Sequence, residues 1–71
     1  IAEYQNRYFI YVPENTTIKL KMDINDIESI IILDLETKRK EIGSKYKKDG
    51  ICCLEMHTFG HDVLYIVELK K

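Results

Sequence analysis

The sequence predicts an all-β fold, an antiparallel sandwich or small barrel, from two observations. The first is alternation over residues 16–22, where Ile18, Leu20 and Met22 are separated by threonine and lysine. A period of two is typical of a half-buried strand, because successive side chains leave a pleated backbone on opposite faces. The second is the recurrence of short β-rich segments about ten residues apart, with turn residues between them.

We predict six strands in chain order. They span residues 7–12, 16–22, 27–35, 40–43, 51–57 and 63–69. The first is dense in β-formers and ends at Pro13, because proline cannot donate to a ladder. The third carries a uniform apolar run, for which a buried helix is the alternative. Its branched residues at 30–33 favour a strand.

Turn residues separate the predicted strands. The turns are expected at 14–15, 23–26, 36–39, 43–50 and 58–61. We interpret 36–39 as a tight hairpin connection. The segment 43–50 is expected to be a polar loop that closes on Asp49-Gly50, a common turn dipeptide. Residues 1–5 form an entry segment to which the sequence assigns no structure.

Length and charge restrict the classes of function. The chain has 71 residues, which predicts a single domain over 1–71. Its start at Ile1 favours a piece of a longer chain. A domain of this size is marginally stable alone and often relies on a neighbour. Eleven basic and twelve acidic residues are interspersed, so we expect neither nucleic-acid nor membrane binding.

No constellation of reacting groups is evident, and we expect no catalytic residue, cofactor or metal. His57 and His61 lie four apart beside Asp62, but Gly60 favours a turn, and no third ligand converges. Structural or surface histidines are the better interpretation. Asp34, beside the predicted hairpin, is explained by turn chemistry.

The two cysteines and the lysine-rich loop favour structural roles. Neighbours on a strand point to opposite faces, so Cys52 and Cys53 are poorly placed for a disulfide and are interpreted as small apolar residues. Tyr46 among lysines 45, 47 and 48 suggests a nucleic-acid patch, but a solvated loop is the better interpretation. Tyrosines as a platform for sugar rings remain a minority alternative to core or interface roles.

Three strands are apolar on both faces: 7–12, 30–35 and 63–67. A two-layer domain has one interior, so the second face of such a sheet is left in water unless something covers it. We predict that this face docks against another domain or subunit; the alternative is that strand ends and loops fold over it. The candidate interface residues are Phe9, Tyr11, Ile31, Leu33 and Tyr65.

The order of three segments resembles a known family. The segments are 7–14 (RYFIYVPE), 31–37 (IILDLET) and 59–66 (FGHDVLYI). Together they are similar to the C-terminal β-sandwich, of the collagen-binding type, in certain bacterial glycoside hydrolases. Leu35, Lys38 and Val63 stand where that family has proline, glycine and tryptophan.

The resemblance implies a small immunoglobulin-like sandwich of about six or seven antiparallel strands. It implies a non-catalytic accessory domain that packs on a (β/α)-barrel catalytic domain of the same chain and stabilises it, with carbohydrate contact as a further expectation. A secreted, periplasmic or cytoplasmic bacterial location is left open. The alternative is a free-standing sandwich or barrel module that binds a protein partner.

Overall fold

The computed structural model describes residues 2–13, 16–57, 59 and 62–70. Its strands are β1 (Ala2–Tyr4), β2 (Arg7–Val12), β3 (Ile18–Leu20), β4 (Ile27–Asp34), β5 (Lys40–Ile42), β6 (Lys45–Lys48), β7 (Ile51–Leu54) and β8 (Val63–Leu69). A short 3-10 helix, Ile24–Asp26, precedes β4, and the described residues contain no α-helix. The predicted all-β class is therefore confirmed.

The strands form two antiparallel sheets. The larger has the order β1-β2-β8-β4-β5, and the smaller has the order β3-β7-β6. The three strands that the sequence shows to be apolar on both faces, β2, β8 and β4, are neighbours at the centre of the larger sheet. Their second apolar faces are consequently contiguous.

Two short strands were not predicted. The chain enters through β1, which pairs with β2, and the expected polar loop at 43–50 contains β6. Asp49 and Gly50 both have positive φ, 53° and 78°, and connect the paired residues Lys48 and Ile51 as a two-residue hairpin turn. Glu14, Asn15, Thr58, Gly60 and His61, in two of the expected turns, lie outside the described residues.

The core lies between the two sheets and follows the alternation of their strands. In the larger sheet Ile10 of β2 pairs with Tyr65 of β8, which pairs with Ile32 of β4. All three are buried. The smaller sheet contributes Leu20, Cys52 and Leu54, and Ile18 and Met22 pack against them. The inward side of residues 16–22 is therefore as predicted, although the strand itself is shorter.

Hydrogen bonds from its N-terminal cap and from the smaller sheet hold the 3-10 helix in place. Asp23 caps it by accepting a hydrogen bond from the backbone N–H of Asn25 at 2.8 Å. From the smaller sheet, the ammonium of Lys45 donates to the backbone carbonyls of Ile24 and Ile27, at 3.1 and 2.5 Å. Lys45 thus satisfies backbone acceptors where the chain enters β4, and it joins the two layers by polar contacts.

Gly43, directly after β5, lies too close to Ile30 to accept a larger side chain without strain. Its backbone N–H donates to the carbonyl of Ile30 at 2.8 Å, and a Cβ added to it meets Cγ2 of Ile30 at 2.6 Å. Ile30 is buried in the core and cannot retreat freely. We expect Gly43→Ala to lower the free energy of unfolding by about 2 kcal/mol through overpacking. Urea denaturation measures this change, and an unchanged midpoint contradicts it.

Candidate functional site

The outer face of the larger sheet carries an apolar row across four strands. Phe9 of β2 pairs with Ile66 of β8, Ile66 with Ile31 of β4, and Ile31 with Ile42 of β5. All four side chains project away from the core. Ile42, on the edge strand, is 90% exposed.

A second row lies beside the first. Tyr11 pairs with Leu64, Leu64 with Leu33, and Leu33 with Lys40. The residues of the two rows that are not charged form what we call the apolar face. Its members are Phe9, Tyr11, Ile31, Leu33, Ile42, Leu64 and Ile66. None of them is buried in the chain itself, so every one has surface to offer to a partner.

Polar groups border the apolar face at both ends. At one end, Nε of Arg7 lies 3.1 Å from Oε1 of Glu68, and Oε2 of the same carboxylate accepts a hydrogen bond from the hydroxyl of Ser29 at 3.3 Å. At the other end, the hydroxyl of Tyr11 donates to Asp62 at 2.6 Å, and this bond raises the pKa of Tyr11. An apolar centre with a polar rim is the usual anatomy of a protein interface.

The structure brings together four of the five predicted interface residues. Phe9, Tyr11, Ile31 and Leu33 share the apolar face, whereas Tyr65 lies on the inward face of β8 and is fully buried. Leu64 and Ile66, the neighbours of Tyr65 on β8, and Ile42 of β5 also lie on this face, although the sequence did not single them out. Strand parity is the signal that identifies Leu64 and Ile66, because residues on either side of an inward residue must face outward.

Tyr65 has an internal role instead. Its hydroxyl donates to the backbone carbonyl of Glu55 at 2.8 Å, and it accepts from the backbone N–H of His57. Burial raises the pKa of Tyr65, and the hydrogen bond from His57 offsets part of that rise. The phenol of Tyr65 therefore ties β8 to the segment that follows β7.

His57 lies beside this tyrosine and is only 3% exposed. Its ring packs against Phe59 and Tyr65, with centroids 6.3 Å away in each case. Within the part of the chain that the structure describes, neither ring nitrogen has a hydrogen-bond partner. Those residues also contain no group of three or more side chains that could hold a metal ion. His61, the other histidine of the predicted pair, lies outside them.

The two cysteines face opposite ways, as predicted. Both thiols are free and both residues are buried. Cys52 belongs to the core, whereas Cys53 lies on the outer side of the smaller sheet. Burial, and then the adjacent Cys53, raise the pKa of the Cys52 thiol. A thiol that stays protonated is a poor nucleophile, so Cys52 is suited to packing rather than to reaction.

Asp34 occupies the hairpin between β4 and β5 and is 2% exposed. One carboxylate oxygen accepts from the backbone N–H groups of Glu36 and Thr37, at 2.9 and 3.4 Å, and the other accepts from the Thr37 hydroxyl at 3.0 Å. This geometry agrees with the turn role predicted for Asp34. Lys38, in the same turn, has φ +65°, a conformation that glycine adopts without strain.

Comparison with known proteins identifies no relative. No family model, no curated protein and no solved structure matches the chain. Among the described residues, no helix is long and apolar enough to cross a membrane.

Proposed function

We propose that this chain is a non-catalytic accessory domain that binds a protein partner through the apolar face. The observation that supports the proposal is the uninterrupted row from Phe9 through Ile66 and Ile31 to Ile42. Soluble monomers rarely leave large contiguous apolar areas in water. Full burial of an exposed side chain of this type contributes about 1.5–3 kcal/mol, and completing the burial of a half-buried one contributes less, so several of them together can hold a domain in place.

The partner that we propose is the (β/α)-barrel catalytic domain of a bacterial glycoside hydrolase, as the family resemblance implies. The apolar face suits a neighbour of domain size because it is a contiguous sheet surface that extends from β2 across β8 and β4 to the edge strand β5. Its polar rim, with Arg7 and Glu68 at one end and Asp62 at the other, can direct the docking without contributing much affinity. The domain then acts by stabilising the barrel.

A free-standing interaction module is the second candidate. It uses the same apolar face but binds a separate protein. The contiguous coding sequence distinguishes the two: an accessory domain requires a barrel-length segment in the same reading frame. A reading frame without that segment contradicts the accessory role and leaves the interaction module.

Three outward substitutions test the docking face. We expect the variant Phe9→Thr, Ile31→Thr and Ile66→Thr to lose most of the hydrophobic-dye fluorescence of the parent chain and to remain folded, because threonine suits a solvated sheet surface. Circular dichroism monitors the fold. The matched control is Ile51→Thr, since Ile51 is 41% exposed on the outer side of the smaller sheet. We expect its dye binding to equal that of the parent.

The same variants test whether a barrel domain is the partner of the apolar face. With the barrel domain in the same polypeptide, we expect the triple variant to lower the unfolding temperature of the barrel, and Ile51→Thr to leave it unchanged. A parent chain that binds no dye, stays monomeric at high concentration and leaves barrel stability untouched contradicts the proposal. That result is the one expected if the apolar face is merely a solvated surface.

A further inference from the structure

The outer side of the smaller sheet holds a second surface, on the side of the molecule away from the apolar face. Two adjoining depressions, of about 370 and 410 Å³, share Thr17 and Tyr46 as lining residues. We call the pair the tyrosine groove. Glu55 and Met56 complete one depression; Lys19, Lys48, Asp49, Ile51 and Cys53 complete the other. Tyr46 therefore lies between two recesses.

The sheet register explains why this tyrosine is held in place. Cys53 of β7 pairs with Lys19 of β3 on one side and with Tyr46 of β6 on the other. Cys53 faces outward and yet is only 2% exposed, so the flanking side chains cover it. Tyr46 is half-buried. Tyr46 therefore lies beside a small, covered residue and keeps part of its surface open to a ligand.

The charges around Tyr46 restrict the ligand class. Lys19 and Lys48 are balanced by Asp49 and Glu55, so the tyrosine groove has no excess of either sign. An anion such as a nucleic-acid backbone needs a basic surface. Lys45 and Lys47 do not supply one, because they alternate with Tyr46 and Lys48 and lie on the other side of β6.

We propose that the tyrosine groove binds a neutral oligosaccharide. Sugar rings have an apolar C–H face that stacks on an aromatic ring, and hydroxyl groups at their edges that donate to carboxylates and accept from ammonium groups. With a recess on each side of Tyr46, the site suits a chain of sugar units better than a single one. This inference rests on the proposed accessory function for its context, and it names a ligand class for that function.

Binding is measured by titrating the 71-residue chain with cellohexaose, xylohexaose and mannohexaose, and with an oligogalacturonate of the same length as the anionic comparator. We expect at least one neutral probe to bind and to shift backbone amide resonances of β6 and β7. We expect Tyr46→Ala to weaken that binding by about tenfold, equivalent to about 1.4 kcal/mol. Tyr46→Phe keeps the ring, so its affinity is expected to stay close to that of the parent.

Lys47→Ala is the matched control, because Lys47 is exposed and follows Tyr46 on β6 but lies on the other side of the strand. Its affinity for the probe is expected to be unchanged. The inference is overturned if no neutral probe binds, if Tyr46→Ala binds as well as the parent, or if the galacturonate binds more tightly. Docking is tested separately, by substitutions on the apolar face. A negative result for the tyrosine groove therefore does not contradict the docking proposal, and a negative result for docking does not contradict binding in the groove.

Discussion

Replacing Tyr65 by alanine is expected to remove a large part of the free energy of unfolding of the chain. Tyr65 is fully buried on the central strand of the larger sheet, between Ile10 and Ile32. Removing a buried aromatic side chain costs about 3–5 kcal/mol. A domain of this length has a total stability of only about 4–10 kcal/mol at the usual stability per residue. Urea denaturation followed by circular dichroism measures the loss.

Tyr65→Phe separates the hydroxyl from the ring. Phenylalanine retains the packing but leaves the carbonyl of Glu55 and the N–H of His57 without the phenol. Polar groups left unpaired cost about 1–3 kcal/mol where they are buried, and this site is only partly buried, so we expect a smaller loss than for alanine. If Tyr65→Phe is as stable as the parent chain, then the phenol does not hold the 55–57 segment to β8.

Alkaline pH gives an independent check on the same residue. Burial raises the pKa of Tyr65 above its ordinary value of 10.0, so above that pH the unfolded chain releases a proton that the folded chain still holds. The unfolded state then binds fewer protons, and stability falls as pH rises through this region. Tyr65→Phe lacks this contribution. We expect its stability to depend less steeply on pH above 10 than that of the parent, and equal slopes contradict the assignment.

The sequence predicted the long strands better than the short ones. The predicted and observed limits of β2 and β8 coincide, because both are rich in β-formers and Pro13 directly follows β2. By contrast, β6 has the sequence Lys-Tyr-Lys-Lys, which local propensity does not distinguish from a polar loop. Its pairing with β7 comes from the Asp49-Gly50 turn and from tertiary context, which outweighs propensity in short edge strands.

The prediction of the interface residues was limited in the same way, because it depended on the local sequence of each strand. Alternation correctly separates Phe9 and Tyr11 from Ile10 and the other inward residues of β2, but it does not show which side of a strand is inward when both sides are apolar. On β8 this ambiguity led to the selection of Tyr65 instead of Leu64 or Ile66. The register with β2 and β4 resolves it, because Tyr65 pairs with the buried Ile10 and Ile32. Pairing between distant strands is information that one strand does not contain.

Asp34→Ala is expected to be the second most damaging substitution. We expect it to lower the free energy of unfolding by about 3 kcal/mol, because hydrogen bonds to a charged group contribute about 1.5–3 kcal/mol. The substitution also leaves the donors of these bonds without their acceptor. The donors are the N–H groups of Glu36 and Thr37 and the Thr37 hydroxyl. The hairpin that orients β5, and Ile42 on it, depends on these bonds. We therefore expect Asp34→Ala to weaken dye binding at the apolar face as well as stability.

Lys38 offers a matched control in the same turn. Its φ of +65° lies in the left-handed region, so Lys38→Gly relieves strain and is expected to raise stability by up to about 1 kcal/mol. Urea midpoints of the two variants should therefore move in opposite directions from that of the parent. A chain in which Asp34→Ala unfolds at the parent midpoint does not use this carboxylate to form its hairpin. In that case the β5 edge of the apolar face is positioned by its pairing with β4.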